Sequence, residues 1–194
     1  LPSIGKGSYR TTIDIPDTSR SYTLMFDGAM SNARIILNGK QIAEWPYGYN
    51  SFYVNLNPAD LSQGKNDLLV ELENYEQQSR WYPGGGLYRN VHLISTDKVH
   101  VPVWGTYVTT PDVTKEFASV RLTTSIEGAA QKQEWPYGEK LTVSTVILNP
   151  KGKEVAHSAT EYIARGQELT QNFIVNNPEL WSPETPALYT ARTT

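Results

Sequence analysis

Apolar and polar residues alternate along nearly the whole chain. Tyr9, Thr11, Ile13 and Ile15 face one way, with Arg10, Thr12 and Asp14 between them. Tyr22, Leu24 and Phe26 repeat the pattern, followed by Phe52, Val54 and Leu56, then Leu68, Val70 and Leu72, then Val91 and Leu93. A period of two marks a strand with one buried face. Stretches at 106–110, 119–126, 141–148, 154–163, 169–175 and 188–193 continue the series. No segment shows the 3.6-residue period of an amphipathic helix, and Pro58-Ala59-Asp60-Leu61 suits one helical turn only. The pattern predicts an all-β chain.

The punctuation agrees. Asn38-Gly39 sits between Ala33-Arg34-Ile35-Ile36-Leu37 and Lys40-Gln41-Ile42. A two-residue type I′ turn needs positive φ twice, and Asn-Gly supplies it, so a hairpin is predicted there. Pro16-Asp17, Asn57-Pro58, Gln63-Gly64 and Asn149-Pro150-Lys151-Gly152 mark further turns. A boundary near Asp97-Lys98 gives two domains, 1–97 and 98–194. The six or seven short strands of the second suit an immunoglobulin-like sandwich. Glu44-Trp45-Pro46-Tyr47-Gly48 recurs as Glu134-Trp135-Pro136-Tyr137-Gly138. Two copies make no solenoid. They read as aromatic-proline loops that each lead into a strand, although duplication of a sandwich module would leave the same trace.

Composition narrows the partners. With 39% hydrophobic and 19% charged residues the chain is ordinary for a globular protein. A net charge of −3 with scattered Lys and Arg argues against nucleic acid as a partner. No apolar run is long enough to span a bilayer as a helix, which argues against a membrane partner. The chain has no cysteine, which excludes disulfides, thiolate zinc sites and cysteine nucleophiles. It fits cytoplasm and periplasm equally. The start Leu1-Pro2-Ser3, without Met, leads us to expect a piece of a longer protein.

The densest chemistry lies in Ser79-Arg80-Trp81-Tyr82-Pro83-Gly84-Gly85-Gly86-Leu87-Tyr88-Arg89-Asn90-Val91. Trp81 and Tyr82 offer flat apolar faces, and Arg80 a planar fork of donors. Three glycines let the backbone pass close to other groups. Ser79, Arg80, Trp81 and Tyr82 are the candidates for contact with a sugar at a substrate rim. The competing reading is that the two rings pack against a neighbouring domain. Catalytic residues are not evident. Glycoside hydrolysis usually needs two carboxyl groups roughly 5–10 Å apart. Glu71 and Glu73 share a strand face and Glu44 and Glu134 sit in the repeated loops, all in settings that read as solvated. His92, His100 and His157 lack metal-ligand spacing. Nothing calls for a cofactor. Near the end, Pro178, Pro183 and Pro186 exclude helix, and Trp181 is expected to bury its ring beneath that loop.

Four segments together resemble glycoside hydrolase family 2, the family of β-galactosidases, β-glucuronidases and β-mannosidases. Gly7-Ser8-Tyr9-Arg10 resembles the entry to its sugar-binding sandwich, and Ala33 to Lys40 its Asn-Gly hairpin. Ser79 to Val91 resembles its Trp-Tyr-Pro-Gly-x-Gly-Ile/Leu-Tyr-Arg-x-Val signature. Leu180-Trp181-Ser182-Pro183 to Leu188-Tyr189-Thr190 resembles the close of its second domain. The resemblance implies an incomplete jelly-roll β-sandwich followed by an immunoglobulin-like β-sandwich. The first would lack its opening strands and the second its last strand. It also implies a catalytic TIM barrel elsewhere in the parent enzyme, which would supply both catalytic glutamates, act on carbohydrate and be the main partner of this chain. The Ser79 loop looks most like that of bacterial β-galactosidases. Some members carry an acidic residue near the position of Ser79, and this chain has Ser79 and Arg80 there. The function so implied is the non-catalytic N-terminal part of a β-galactosidase, bracing the barrel and shaping its substrate rim, and inactive alone. A stand-alone carbohydrate-binding module and a purely structural β-sandwich are the alternatives. Assembly into a homo-oligomer stays open.

Overall fold

A computed structural model describes residues 5–75, 80–81, 84–128, 141–162 and 168–194. They fall into two compact units, 1–98 and 99–194. The first holds β1 (Lys6–Ile15), β2 (Ser21–Phe26), β3 (Ala33–Leu37), β4 (Lys40–Trp45), β5 (Phe52–Asn55), β6 (Gly64–Glu73) and β7 (Val91–Thr96). The second holds β8 (Thr106–Thr109), β9 (Phe117–Thr124), β10 (Leu141–Leu148), β11 (Glu154–Tyr162), β12 (Leu169–Asn176) and β13 (Thr190–Thr193). The one helical element among the described residues is a 3-10 turn, Pro58–Asp60, capped by the Asn57 side chain. The chain is all-β, and its paired strands are antiparallel.

In the first unit one sheet runs β1-β6-β3-β4 and the other β5-β2-β7. Their inner faces meet in a single core containing Leu24, Phe26, Ile35, Leu37, Phe52, Leu68 and Val70. Phe26 stacks on Phe52 with centroids 4.7 Å apart, and Trp45 stacks on the same ring at 5.1 Å. The predicted hairpin forms: Asn38 and Gly39 take φ of 50° and 80°, and Leu37 pairs with Lys40. Buried Asn66 anchors this end. Its amide donates to the Ser62 and Gly64 carbonyls and its oxygen accepts from Asn38 and the Ser62 N–H. Every hydrogen-bonding position of that side chain is used, which a buried amide requires.

Two strands bury less than their alternation predicts. In β1 only Ile13 and Ile15 turn inward with effect, while Tyr9 and Thr11 stay exposed. β1 is the edge strand of its sheet, with a neighbour on one side only, whereas its equally long partner β6 buries Leu68, Val70 and Leu72 along the same stretch. Val91 and Leu93 lie on the side of their register partners Phe26 and Leu24 yet remain 37% and 36% exposed. They belong to an edge strand, which has a neighbour on one side only.

In the second unit sheets β11-β10-β13 and β12-β9-β8 enclose Leu122, Ile147, Phe173 and Val175, with Ile126, Val143 and Tyr162 in a second cluster. Gln171 ties the sheets together. Its buried amide donates from β12 to the Val143 and Ser158 carbonyls and the Thr160 hydroxyl of the opposite sheet. Trp181 corrects its expectation: it is 59% exposed. The proline-rich loop does not seal over the ring. Leu180, Trp181 and Tyr189 instead line a mostly apolar cavity of about 380 Å³ with Val108, Ile147 and Val175.

Removing the shared ring of the first core should be costly. Phe52→Ala is expected to destabilise the first unit by about 3–5 kcal/mol, the range for a buried phenylalanine. Urea denaturation followed through tryptophan fluorescence reads this, and a loss under about 1 kcal/mol would show that the stack does not hold the core.

Candidate functional site

Three loops of the first unit meet at one end of its sandwich: 27–32, 46–51 and the described part of 80–90. Glycines make their approach close. Gly86 exchanges both backbone hydrogen bonds with Met30, at 2.9 and 3.0 Å, with φ of 106°. A Cβ at Gly86 would run into the Tyr9 hydroxyl, and one at Gly85 would lie 2.6 Å from the Asn74 amide nitrogen. Asn74 donates to the Gly84 carbonyl and accepts from the Ser31 hydroxyl. The three glycines thus follow the surface of their own sandwich.

Tyr88 latches the loops together. Its ring fills the space above Gly28, where a Cβ would meet it at 2.7 Å, and its hydroxyl donates to the Gly48 carbonyl at 2.8 Å. The Arg89 guanidinium lies 5.1 Å from the centre of the Tyr88 ring, and its Nη1 donates to the Asp27 carbonyl at 3.4 Å. The 46–51 loop is held at several points. Trp45 before it and Phe52 after it are stacked on each other. The Trp45 indole donates to Asn50, the Pro46 carbonyl accepts from the Asn32 N–H, and the Ser51 hydroxyl donates to the Asp27 carbonyl.

On this frame three rings point outward. Tyr47, Tyr49 and Trp81 are 56%, 45% and 65% exposed. Tyr47 meets Tyr49 edge to face at 5.6 Å, and the Trp81 indole N–H donates to the Tyr49 hydroxyl at 3.2 Å. Of the four sequence candidates, Arg80 and Trp81 are described and both are exposed; Ser79 and Tyr82 lie outside the described residues. Tyr47 and Tyr49 were not among the candidates. Their signal was present in the Trp-Pro-Tyr-Gly loop, whose counterpart around Trp135 also lies outside the described residues.

Three carboxylates near these loops form surface pairs. Glu71 pairs with Arg34 at 3.1 Å, Glu73 with Lys6 at 3.5 Å, and Asp27 faces His92 at 3.3 Å. Such exposed pairs contribute little to stability. Among the described residues no group of three or more His, Asp or Glu side chains could hold a metal ion.

Comparison with known proteins places this geometry in context. Residues 99–194 match the family model for glycosyl hydrolases family 2. Over 192 residues, 96% of the chain, the sequence is 38% identical to the beta-galactosidase BoGH2A of Bacteroides ovatus, and it spans 22% of that enzyme. The fold superposes with a TM-score of 0.87 and 28% identity on a glycosyl hydrolase family 2 member from Bacteroides cellulosilyticus, covering 99% of this chain and 27% of that one. A beta-glucuronidase of Bacteroides uniformis gives 0.81 and 28%, with 99% and 24% covered. The chain spans about a quarter of the length of these relatives.

The Tyr88 latch is testable. Gly28→Ala is expected to cost about 1–3 kcal/mol, because the new methyl group displaces the ring. In a Tyr88→Ala background the same change should cost much less, since the obstacle is gone. Strictly additive losses in chemical denaturation would rule out the ring as the reason for the glycine.

Proposed function

The chain belongs to glycosyl hydrolases family 2, and from that membership we propose that it is the non-catalytic N-terminal portion of a β-galactosidase. It braces a catalytic barrel and lends the loop bearing Ser79, Arg80, Trp81 and Tyr82 to the rim of the substrate site. One observation carries this reading: the chain matches a β-galactosidase along 96% of its own length but only 22% of that enzyme's. Family 2 hydrolysis needs an acid and a nucleophile on opposite sides of a glycosidic bond. Asp27, Glu71 and Glu73 each face a surface cation or histidine instead. Such a division of labour leaves this chain with binding and positioning work, which acts on rate through substrate orientation.

The chain alone is expected to hydrolyse no chromogenic β-galactoside, β-glucuronide or β-mannoside. Turnover that copurifies with it would overturn the assignment. In the parent enzyme, Trp81→Ala should lower kcat/KM roughly tenfold, equivalent to about 1.4 kcal/mol of transition-state binding, without abolishing it. Unchanged activity together with an unchanged melting temperature would remove the loop from the site.

A further inference from the structure

We infer that Tyr47, Tyr49 and Trp81 form a preorganised platform that binds the C–H face of a galactopyranoside, without help from any catalytic carboxylate. The inference rests on the reading above for its ligand class and adds two residues and a binding mode to it.

The argument starts from how the rings are displayed. Exposed aromatic side chains normally lose free energy relative to burial, on the order of 2–3 kcal/mol each. A loose loop would recover some of that by folding its rings inward. The 46–51 loop cannot do so. Trp45 and Phe52 fix its ends in the core stack, Asn32 holds the Pro46 carbonyl, and Tyr88 holds the Gly48 carbonyl. At Gly48 the backbone passes so near the Met30 sulfur that a Cβ would overlap it. The loop is built so that Tyr47 and Tyr49 stay outside.

The chemistry of the patch then selects an occupant. Among the described residues it consists of rings with polar tips. Trp81 uses its only donor on the Tyr49 oxygen, which leaves the Tyr49 hydroxyl hydrogen free to donate outward. A pyranose meets such a surface with one face of C–H groups to lie on a ring and hydroxyls at its edge to receive and give hydrogen bonds. In β-galactose the axial 4-hydroxyl leaves C3, C4 and C5 with their hydrogens on one side, a continuous apolar patch for a ring. Because the rings are already ordered, binding costs little side-chain entropy.

The test uses the 194-residue chain and methyl β-D-galactopyranoside, followed by saturation-transfer NMR and by the indole ¹H–¹⁵N resonances. Binding should be in the millimolar range, near 4 kcal/mol. The Trp81 indole resonance, assigned by its loss in Trp81→Phe, should move on titration, while that of Trp181 in the second unit should not. Tyr47→Ala and Tyr49→Ala should each weaken binding by roughly tenfold at an unchanged melting temperature, and Trp181→Ala should leave it intact. Tyr49→Phe keeps the ring and should retain most of the affinity. No saturation transfer at tens of millimolar sugar, a stationary Trp81 resonance, or binding that survives both alanine variants would each overturn the platform. These failures are separate from those of the preceding section: glycoside turnover by the chain would refute the non-catalytic role and leave the platform standing, and absent binding would do the reverse.

Discussion

The first unit is organised around one stack of rings. Phe52 lies against Phe26 on one side and Trp45 on the other, with interplanar angles of 5° and 13°. Offset stacking of this kind adds about 0.5–1.5 kcal/mol per pair beyond the area buried. Its larger consequence is geometric. Trp45 ends β4 and Phe52 begins β5, so the stack clamps both ends of the loop between them. Chain closure is paid by the core, and what lies between the clamps is free to serve another purpose. The exposed rings of Tyr47 and Tyr49 depend on the buried ring of Phe52.

The other loops follow the same logic with smaller parts. Gly28, Gly85 and Gly86 are positions where a methyl group would meet Tyr88, Asn74 or Tyr9. Gly28 and Gly85 each admit a neighbouring side chain that then fixes a second loop. Tyr88 reaches the Gly48 carbonyl in this way, and Asn74 reaches both Gly84 and Ser31. The loops hold each other through hydrogen bonds to backbone carbonyls, which constrain position more tightly than apolar contact would. The second unit solves a different problem, holding two sheets face to face, and does so with Gln171 bonded across the interface.

The role proposed for this chain in a glycosidase works through shape. The catalytic carboxylates need a defined separation and a substrate held between them. In the role proposed for this chain, rigid rings at the rim would restrict how a sugar approaches, and restriction of approach is worth rate without any new covalent chemistry. The surface ion pairs of Glu71 and Glu73 are consistent with a supporting unit, since they spend carboxylates on solvent-facing pairs along the outer face of β6.

Period-two alternation by itself determined the all-β class and nearly every strand, because side-chain direction in a strand depends only on parity. Asn38-Gly39 determined its own turn, since few other pairs accept positive φ twice. The Ser79 to Val91 segment was legible as a family signature, because glycines and aromatics in fixed order leave a trace in sequence. Tertiary structure decided the rest. Parity could not say which strands form the sheet edges, so it overestimated the burial of Tyr9, Val91 and Leu93. It placed Gln171 on an inward position without revealing the carbonyls across the core to which its amide nitrogen donates. Trp181 kept its ring outside because the loop around it lines a cavity and does not close over it. Tyr47 and Tyr49 stand 32 or more positions from Trp81 in the chain, and only the stack that fixes their loop brings the three rings together.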